Sequence, residues 1–335
     1  MKHCCQIVRG VGTTVLAAML AFGSFVAPAN AAAKDPGVAI AKAAPEAFTA
    51  LHGGVSRQGR HMVARSSHGL TAISQDPREP LVIGGSGGRK VRITLPFGGA
   101  AGAVNPGVRG AFAFEHGNGA STVPLIKNDG SVQITTVLDG PSAPKRVPYD
   151  IDVENAVSVT EVNGSIVYLD AAGHMIAAVA PAWAKDANGK SVSTHYEIEG
   201  FDLVQVIDHS PSDAYPIVAD PWLGIDLFSS TWYGTYNGQL TVNMRKSAWG
   251  NAMHSPGAGN VIFATAGWDE LRTKRPRVTE KPTLRQQYDC HNAGGYFNFA
   301  GDWNLEKARP DRDPRYTWVN GVAFHRCNWN SATLY

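Results

Sequence analysis

The sequence lacks the features by which many enzyme classes are identified. It contains no HExxH zinc motif, P-loop, dinucleotide fingerprint or EF-hand loop. The zinc proteases, nucleotide hydrolases and dinucleotide-dependent enzymes that carry these motifs are therefore not leading candidates, and no cofactor or metal is expected. Lys plus Arg number 30 and Asp plus Glu number 28, which gives a formal net charge of +2. This balance indicates neither a nucleic-acid partner nor a membrane partner, and no specific nucleic-acid motif is present.

Long apolar runs are also scarce, and the one near the N-terminus is short. Residues 11–26 are apolar or weakly polar, follow a short basic segment and precede an A-x-A site that ends at Ala31. The run is shorter than the ~20 residues that a membrane helix needs. The pattern therefore predicts a signal peptide over residues 1–31 rather than an anchor. Because no second run of membrane length follows, we expect a secreted protein without a membrane span.

Cysteine is rare in the predicted mature chain. Cys4 and Cys5 lie in the signal peptide and are removed with it, so that only Cys290 and Cys327 remain. An even pair delivered to an oxidising compartment favours a disulfide. Closing a loop of roughly 37 residues stabilises a protein by about 3–4 kcal/mol in the chain-entropy model. A structural bridge is therefore the first interpretation of these two cysteines.

Alternating apolar residues and tight turns dominate the first two thirds of the chain. Residues 132–138 alternate as half-buried strands do. Asn163-Gly164 joins two β-branched segments and is a dipeptide typical of a hairpin turn. These signals predict an all-β, sandwich-like domain over residues 51–221. Residues 32–50 are rich in Ala with scattered Pro and Lys, which predicts a flexible tether.

The composition changes after Pro221. Seven of the eight tryptophans and both remaining cysteines lie beyond this residue. Asn237-Gly238 predicts another hairpin, and the capping box that begins at Pro282-Thr283 predicts a short helix. The sequence therefore predicts a small disulfide-bonded α+β domain over residues 222–335. The chain as a whole is predicted to be mainly β.

Two stretches of the sequence resemble parts of known secreted proteins. The stretch from Leu169 to Pro221, which includes Tyr215–Pro221, resembles a β module of secreted actinobacterial proteins and the β segments that precede the repeats of Rhs-type proteins. This resemblance implies a carrier without catalytic residues. The stretch from Leu271 onward, with Gly301–Glu306 and His325–Trp329, is similar to a C-terminal domain of unknown function in secreted bacterial proteins. That resemblance implies no particular activity.

Two histidines next to the cysteines are the candidate catalytic residues. A bridge would bring His291 and His325 into one neighbourhood, because bridged Cα atoms lie about 5–6 Å apart. With Arg285 nearby, the two imidazoles could supply the acid and the base of a small hydrolase or toxin-like effector. One alternative is a structural bridge with the histidines packed beside it. Another is zinc held by two Cys and two His, which export to an oxidising compartment disfavours.

A basic run and an aromatic-rich composition supply the candidate binding residues. Prolines interrupt the basic run, which predicts an extended loop. Its candidate binding residues are Arg272, Lys274, Arg275, Arg277 and Arg285. Such a cluster attracts polyanions, and an exposed Trp303 would stack on a sugar ring. Solvated surface and core packing are the alternatives. The sequence predicts a protein that binds an anionic polymer or a glycan of the cell envelope, with the hydrolase as the alternative.

One motif matches a nucleophile elbow only formally. Gly84–Gly88 has the pattern G-x-S-x-G around Ser86. The elbow needs a helix after the serine, whereas residues 89–95 alternate as a strand does. The sequence therefore predicts a glycine-rich hairpin turn at this position.

Overall fold

The computed structural model describes residues 35–98, 104–106, 111–254, 258–294, 301–312 and 325–332. The predicted signal peptide and its cleavage point near Ala31 lie outside these ranges. The protein is mainly β, as the sequence predicts. Within the described ranges, no helix combines the length and the apolar character needed to cross a bilayer.

The first sheet is antiparallel and has eight strands within the described residues. In spatial order these are β1 (Ser56–Gln58), β2 (His61–Arg65), β3 (Leu70–Ser74), β4 (Leu81–Gly84), β5 (Lys90–Thr94), β10 (Arg146–Val153), β16 (Asp202–Ile207) and β15 (Thr194–Glu199). Along β10 every second side chain is buried, and these include Tyr149 and Ile151. One face of this strand therefore contributes to the core, as period-two patterning predicts.

The second sheet has ten strands in the described part of the chain. Eight of them lie in the order β11 (Ser158–Val162), β12 (Ser165–Leu169), β13 (Met175–Val179), β18 (Trp222–Gly224), β9 (Val132–Leu138), β8 (Ala120–Ile126), β7 (Phe112–Glu115) and β6 (Val104–Pro106). The other two are β14 (Ala184–Lys185) and β17 (Ile217–Ala219), and β17 pairs with both β14 and β9. Apolar side chains of the two sheets form one shared core, which includes Ile93, Tyr149, Ile134 and Ile166.

A helix covers the outer face of the second sheet. Helix α1 (Pro36–Ala43) begins with Asp35, whose carboxylate accepts the N–H of Gly37, and buries Ala39 and Ile40. These side chains pack with residues of β8, β9 and β17. Strand β9 is consequently buried on both faces rather than half-buried. Within the predicted flexible tether of residues 32–50, Pro36–Ala43 therefore form a helix. A capped, alanine-rich segment with Pro at its start favours a helix over a flexible chain.

The C-terminal region contains a third sheet and four short helices within the described residues. The strands are β19 (Phe228–Tyr236), β20 (Gln239–Lys246) and β21 (Trp303–Glu306). The helices are α2 (Ala248–Met253), α3 (Ala258–Ile262), α4 (Trp268–Lys274) and α5 (Pro282–Gly294), with one π-helical turn at Phe263–Gly267. Both the hairpin at Asn237-Gly238 and the helix that begins at Pro282 are confirmed. The core of this region also includes Val167 and Ala178 of the second sheet.

Candidate functional site

A cavity of about 520 Å³ lies where the first sheet, the second sheet and helix α4 meet. Its wall comes from the turn between β4 and β5, from the β12–β13 hairpin and from α4 with the residues just before it. The polar and charged residues of the wall are Ser86, Arg89, Asp170, His174, Asp269, Glu270, Arg272, Thr273 and Lys274. The volume falls within the ~300–1,000 Å³ of typical small-molecule sites.

A buried carboxylate holds two walls of the cavity together. The side chain of Asp226 is 3% exposed. It accepts hydrogen bonds from Arg89 Nη2 at 2.7 Å, from Lys274 Nζ at 3.0 Å and from the backbone N–H of Ser86 at 3.0 Å. Burial alone would raise its pKa, but the charges of Lys274 and Arg89 outweigh burial and lower the pKa below the ordinary 3.8. Asp226 is therefore ionised, and its carboxylate bonds to both walls of the cavity.

A second buried carboxylate, Glu270 of α4, fixes the start of β19. It accepts the backbone N–H groups of Leu227 at 2.7 Å and Phe228 at 3.1 Å, and Lys274 Nζ at 2.7 Å. Burial raises the pKa of Glu270, the charge of Lys274 opposes the rise and neighbouring Asp226 adds to it. Both carboxylate oxygens of Glu270 already accept hydrogen bonds. Glu270 therefore stabilises the contact between α4 and the start of β19 and does not act as a proton donor to a ligand.

Ser86, His68 and Asp226 have the composition of a catalytic triad but a different geometry. His68 Nδ1 lies 2.9 Å from Ser86 Oγ and 3.5 Å from Asp226 Oδ2. In a triad the serine and the carboxylate face opposite ring nitrogens. Here the carboxylate favours a proton on Nδ1, which then donates to Ser86 Oγ. Burial lowers the pKa of His68 below 6.5.

With that proton on Nδ1, Ser86 Oγ is the acceptor from His68, and the imidazole does not act as a base toward the serine hydroxyl. Ser86 lies in the turn between the antiparallel strands β4 and β5, so the predicted hairpin turn is confirmed. The other ring nitrogen, His68 Nε2, is buried and has no hydrogen-bond partner among the described residues. Ser86 is therefore a hydrogen-bond donor of the cavity wall, and the arrangement does not make it a nucleophile.

The predicted disulfide is present. Cys290 of α5 and Cys327 are bridged with their Cα atoms 5.6 Å apart, and both cysteines are buried with Trp329. The bridge rules out the zinc alternative, because bridged sulfurs have no thiolate to offer a metal. In the described ranges, no group of three or more His, Cys, Asp or Glu side chains is placed to hold a metal ion.

The two candidate catalytic histidines lie near the bridge, but each packs on its own tryptophan. His291 is 5% exposed, stacks on Trp303 at 5.5 Å between ring centroids and points Nε2 towards the carbonyl of Asn304 at 3.4 Å. Burial lowers the pKa of His291 to about 4. His325 Nδ1 accepts the backbone N–H of Cys327 at 2.9 Å, and its ring meets Trp329 edge-on. Neither histidine is among the described residues that line the cavity, and an acid–base role for the pair stays a prediction.

The basic run is not an extended loop, contrary to the expectation from its prolines. It occupies the end of α4, a 3₁₀ turn at Pro276–Thr279 and the start of α5. The prolines lie at the starts of the last two elements, where a missing N–H costs nothing. Proline therefore begins helical turns here instead of preventing them.

Each candidate binding cation of the run has a partner within the protein. Arg272 pairs with Asp269 at 3.0 Å and Lys274 with Asp226 and Glu270. Arg275 donates to the carbonyl of Thr231 and lies over the Tyr233 ring. Arg277 pairs with Glu280 at 2.6 Å. Arg285 lies 2.9 Å from Asp289 and covers the ring of Trp268. Only Arg272 and Lys274 of these five belong to the described lining of the cavity.

The tryptophan proposed as a sugar platform is a core residue. Trp303 is 1% exposed and contacts Phe228, Phe263 and Tyr288 in edge-on or tilted arrangements. Of the two alternatives for this ring, the structure shows core packing and not an exposed sugar platform, because the small C-terminal region uses its large aromatic side chains for buried area. No local pattern predicts the cavity, because Ser86 of its wall and the Asp226 that it bonds to are 140 positions apart.

One comparison with known proteins gives a match. The family model described as a protein of unknown function, DUF2599, matches residues 228–328. No curated protein matches the chain, and no solved structure matches it either. The match confirms the resemblance of the C-terminal region to a domain of unknown function, while the resemblance to an Rhs-type module stays a prediction. The matched residues supply α4 and therefore one wall of the cavity.

Proposed function

We propose that the protein is exported from the cell and binds a small polar ligand in the cavity between the β4–β5 turn and α4. The signal-peptide pattern that ends at Ala31 and the bridge between Cys290 and Cys327 support export, since disulfides form and persist in oxidising compartments. The concave wall with convergent polar side chains supports ligand binding.

This proposal rests on one observation: Asp226 accepts hydrogen bonds from both walls of the cavity. Arg89 and the N–H of Ser86 reach it from the β4–β5 turn, and Lys274 reaches it from α4. These contacts fix the two walls before any ligand arrives. A site that is ordered in advance loses less entropy when a ligand binds.

The experiment blocks the cavity with a bulky side chain. Thr273 lines the cavity and is exposed on α4, where its hydroxyl bonds to the carbonyl of Asp269. Thr279 is a matched control, because it is also exposed and bonds in the same way to the carbonyl of Pro276, but it is not part of the lining. We compare wild type, Thr273→Trp and Thr279→Trp.

Binding is read by ligand-observed NMR with neutral disaccharides, inorganic phosphate, citrate and spermidine as probes. We expect at least one probe to bind wild type and Thr279→Trp but not Thr273→Trp. No binding of any probe to wild type, or equal binding to all three proteins, would contradict the proposal. Thermal unfolding of the three proteins checks that each is folded.

Export is tested separately with the full-length chain in a bacterial host that secretes proteins. We expect the protein in the culture medium, with an N-terminus near Ala32 and no thiol that reacts under denaturing, non-reducing conditions. A cytoplasmic product that keeps residues 1–31 and two or more free thiols would contradict export.

A further inference from the structure

We infer that the ligand of the cavity is an uncharged, hydroxyl-rich molecule of the saccharide class, about the size of a disaccharide. This inference rests on the proposed function and specifies the chemistry of its ligand. A volume of about 520 Å³ accommodates a ligand of that size.

Every Arg and Lys side chain of the described cavity wall is paired with a carboxylate. Three cations and three carboxylates line the cavity, and each cation has an acidic partner. The pairs in and behind the wall are Arg89 with Asp226 at 2.7 Å, Lys274 with Glu270 at 2.7 Å and Arg272 with Asp269 at 3.0 Å. An anionic ligand would have to displace the acids of these pairs. The remaining carboxylate of the wall, Asp170, already accepts the backbone N–H groups of Ala172 and His174.

The cavity wall offers both hydrogen-bond donors and hydrogen-bond acceptors. Ser86 presents its hydroxyl, whose oxygen is already the acceptor for His68. Arg272 gives one nitrogen, Nε, to Asp269 and has further N–H groups on its guanidinium. A carboxylate oxygen has more than one lone pair, so Asp269 can accept from a ligand as well. A sugar hydroxyl both donates and accepts, and can therefore bond to an Arg–Asp pair without separating it.

Part of the cavity wall is apolar. Met175, Ile176 and Ala266 line the cavity beside the charged groups. A small inorganic anion would leave this surface wet. The C–H faces of a sugar ring are apolar while its edges are polar, so one saccharide can cover both kinds of surface.

The test removes one cavity arginine and one matched arginine outside the cavity. Arg272 and Arg277 each form an exposed pair with an acid three positions away, and only Arg272 lines the cavity. Binding of cellobiose, maltose and di-N-acetylchitobiose is measured by titration calorimetry and ligand-observed NMR for wild type, Arg272→Gln and Arg277→Gln. Phosphate and citrate are the charged comparison probes.

We expect a neutral disaccharide to bind wild type with an affinity that does not change between low and physiological salt. Arg272→Gln should weaken this binding on the order of tenfold, the effect of a lost hydrogen bond to a charged group. Arg277→Gln should change it by less than about twofold, as expected for an exposed pair outside the site.

The possible failures are distinguishable. Binding of phosphate or citrate, with no disaccharide bound, would overturn the saccharide inference and leave the proposed cavity site standing. No binding by any probe would overturn both. Disaccharide binding that is unaffected by Arg272→Gln, or equally weakened by Arg277→Gln, would place the saccharide outside the cavity and overturn the inference.

Discussion

The guanidinium of Arg89 donates to the carboxylate of Asp226 across 2.7 Å, although the two residues are 137 positions apart. Arg89 follows the glycine-rich turn of the first sheet, and Asp226 precedes β19 by two residues. Lys274 reaches the same carboxylate from α4. One buried anion thus joins the β sheets to the region that the family model matches.

Replacing Asp226 with Asn should destabilise the protein strongly. The substitution removes the anion and leaves Arg89 and Lys274 without their shared partner. Breaking a buried pair in this way typically costs about 3–5 kcal/mol, which urea denaturation would measure. Asp302→Asn is the control, because Asp302 pairs with Arg245 at the surface, where water screens the interaction and the loss should be much smaller. Equal losses in the two variants would contradict the importance of the buried cluster.

Stability should fall as the pH is lowered through the range in which histidines titrate. Burial lowers the pKa of His291 to about 4 from 6.5, and burial also brings the pKa values of His116 and His254 to about 4. The folded state therefore favours neutral imidazoles. Their contribution to stability is complete above pH 6.5 and is lost as the pH falls towards 4.

The contribution of His291 can be isolated by substitution. A shift from 6.5 to about 4 corresponds to roughly 3 kcal/mol. We expect His291→Gln to reduce the pH dependence of the unfolding free energy between pH 6.5 and 4, as followed by urea titrations at several pH values. If wild type and variant show the same dependence, His291 is not held neutral by burial.

Removing the disulfide should destabilise the C-terminal region. The bridge spans 37 positions, and closing a loop of that length is worth about 4 kcal/mol in the chain-entropy model. The double variant Cys290→Ser, Cys327→Ser should therefore unfold at a lower urea concentration than wild type. Adding a reductant should destabilise wild type and leave the double variant unchanged. A double variant as stable as wild type would contradict a structural role for the bridge.

Lys127 should hold the N-terminal helical segment against the second sheet. Its ammonium is buried, donates to the carbonyls of Ala47 and Thr49, and lies 4.8 Å from the ring centre of Trp222. Lys127→Met keeps the apolar stem and removes the donors. The loss of these hydrogen bonds should cost about 1–3 kcal/mol and should speed amide exchange over residues 36–48.

The control is a surface lysine that pairs with the same N-terminal helical segment. Lys185 pairs with Glu46, in the 3₁₀ turn that contains Ala47. Lys185→Met should therefore change amide exchange much less than Lys127→Met, because an exposed pair contributes little. Equal protection in wild type and Lys127→Met would show that the buried ammonium does not secure the segment.

Local signals in the sequence predicted much of the architecture. Asn163-Gly164 and Asn237-Gly238 lie at tight turns, and all four residues have positive φ. Each dipeptide indicates a hairpin by itself, without information from distant residues. The Pro282-Thr283 signal also placed the start of α5 correctly, although Thr283 and Gln286 bond to Asp311 and Arg312 rather than to each other's backbone. The bridge followed from counting cysteines after the predicted removal of Cys4 and Cys5.

The candidate site was not predictable in this way. Ser86, Asp226 and Lys274 meet only because the sheets and α4 pack together, and no short-range pattern relates them. The prolines of the basic run predict a loop, but the spacing of its acids and arginines indicates helical turns. Asp269 and Glu280 each lie three positions from the arginine they bind, a helical spacing that could have revealed these turns.

Strand β18 has a practical consequence for anyone who produces the family region on its own. The matched segment begins at residue 228, but β18 and Asp226 precede it, and β18 pairs with β9 and β13 of the second sheet. An expression clone that starts at residue 228 would leave Lys274 without one of its two carboxylates and Glu270 without the N–H of Leu227. That fragment would contain only the α4 wall of the cavity, without the β4–β5 turn and the β12–β13 hairpin that form the rest of it.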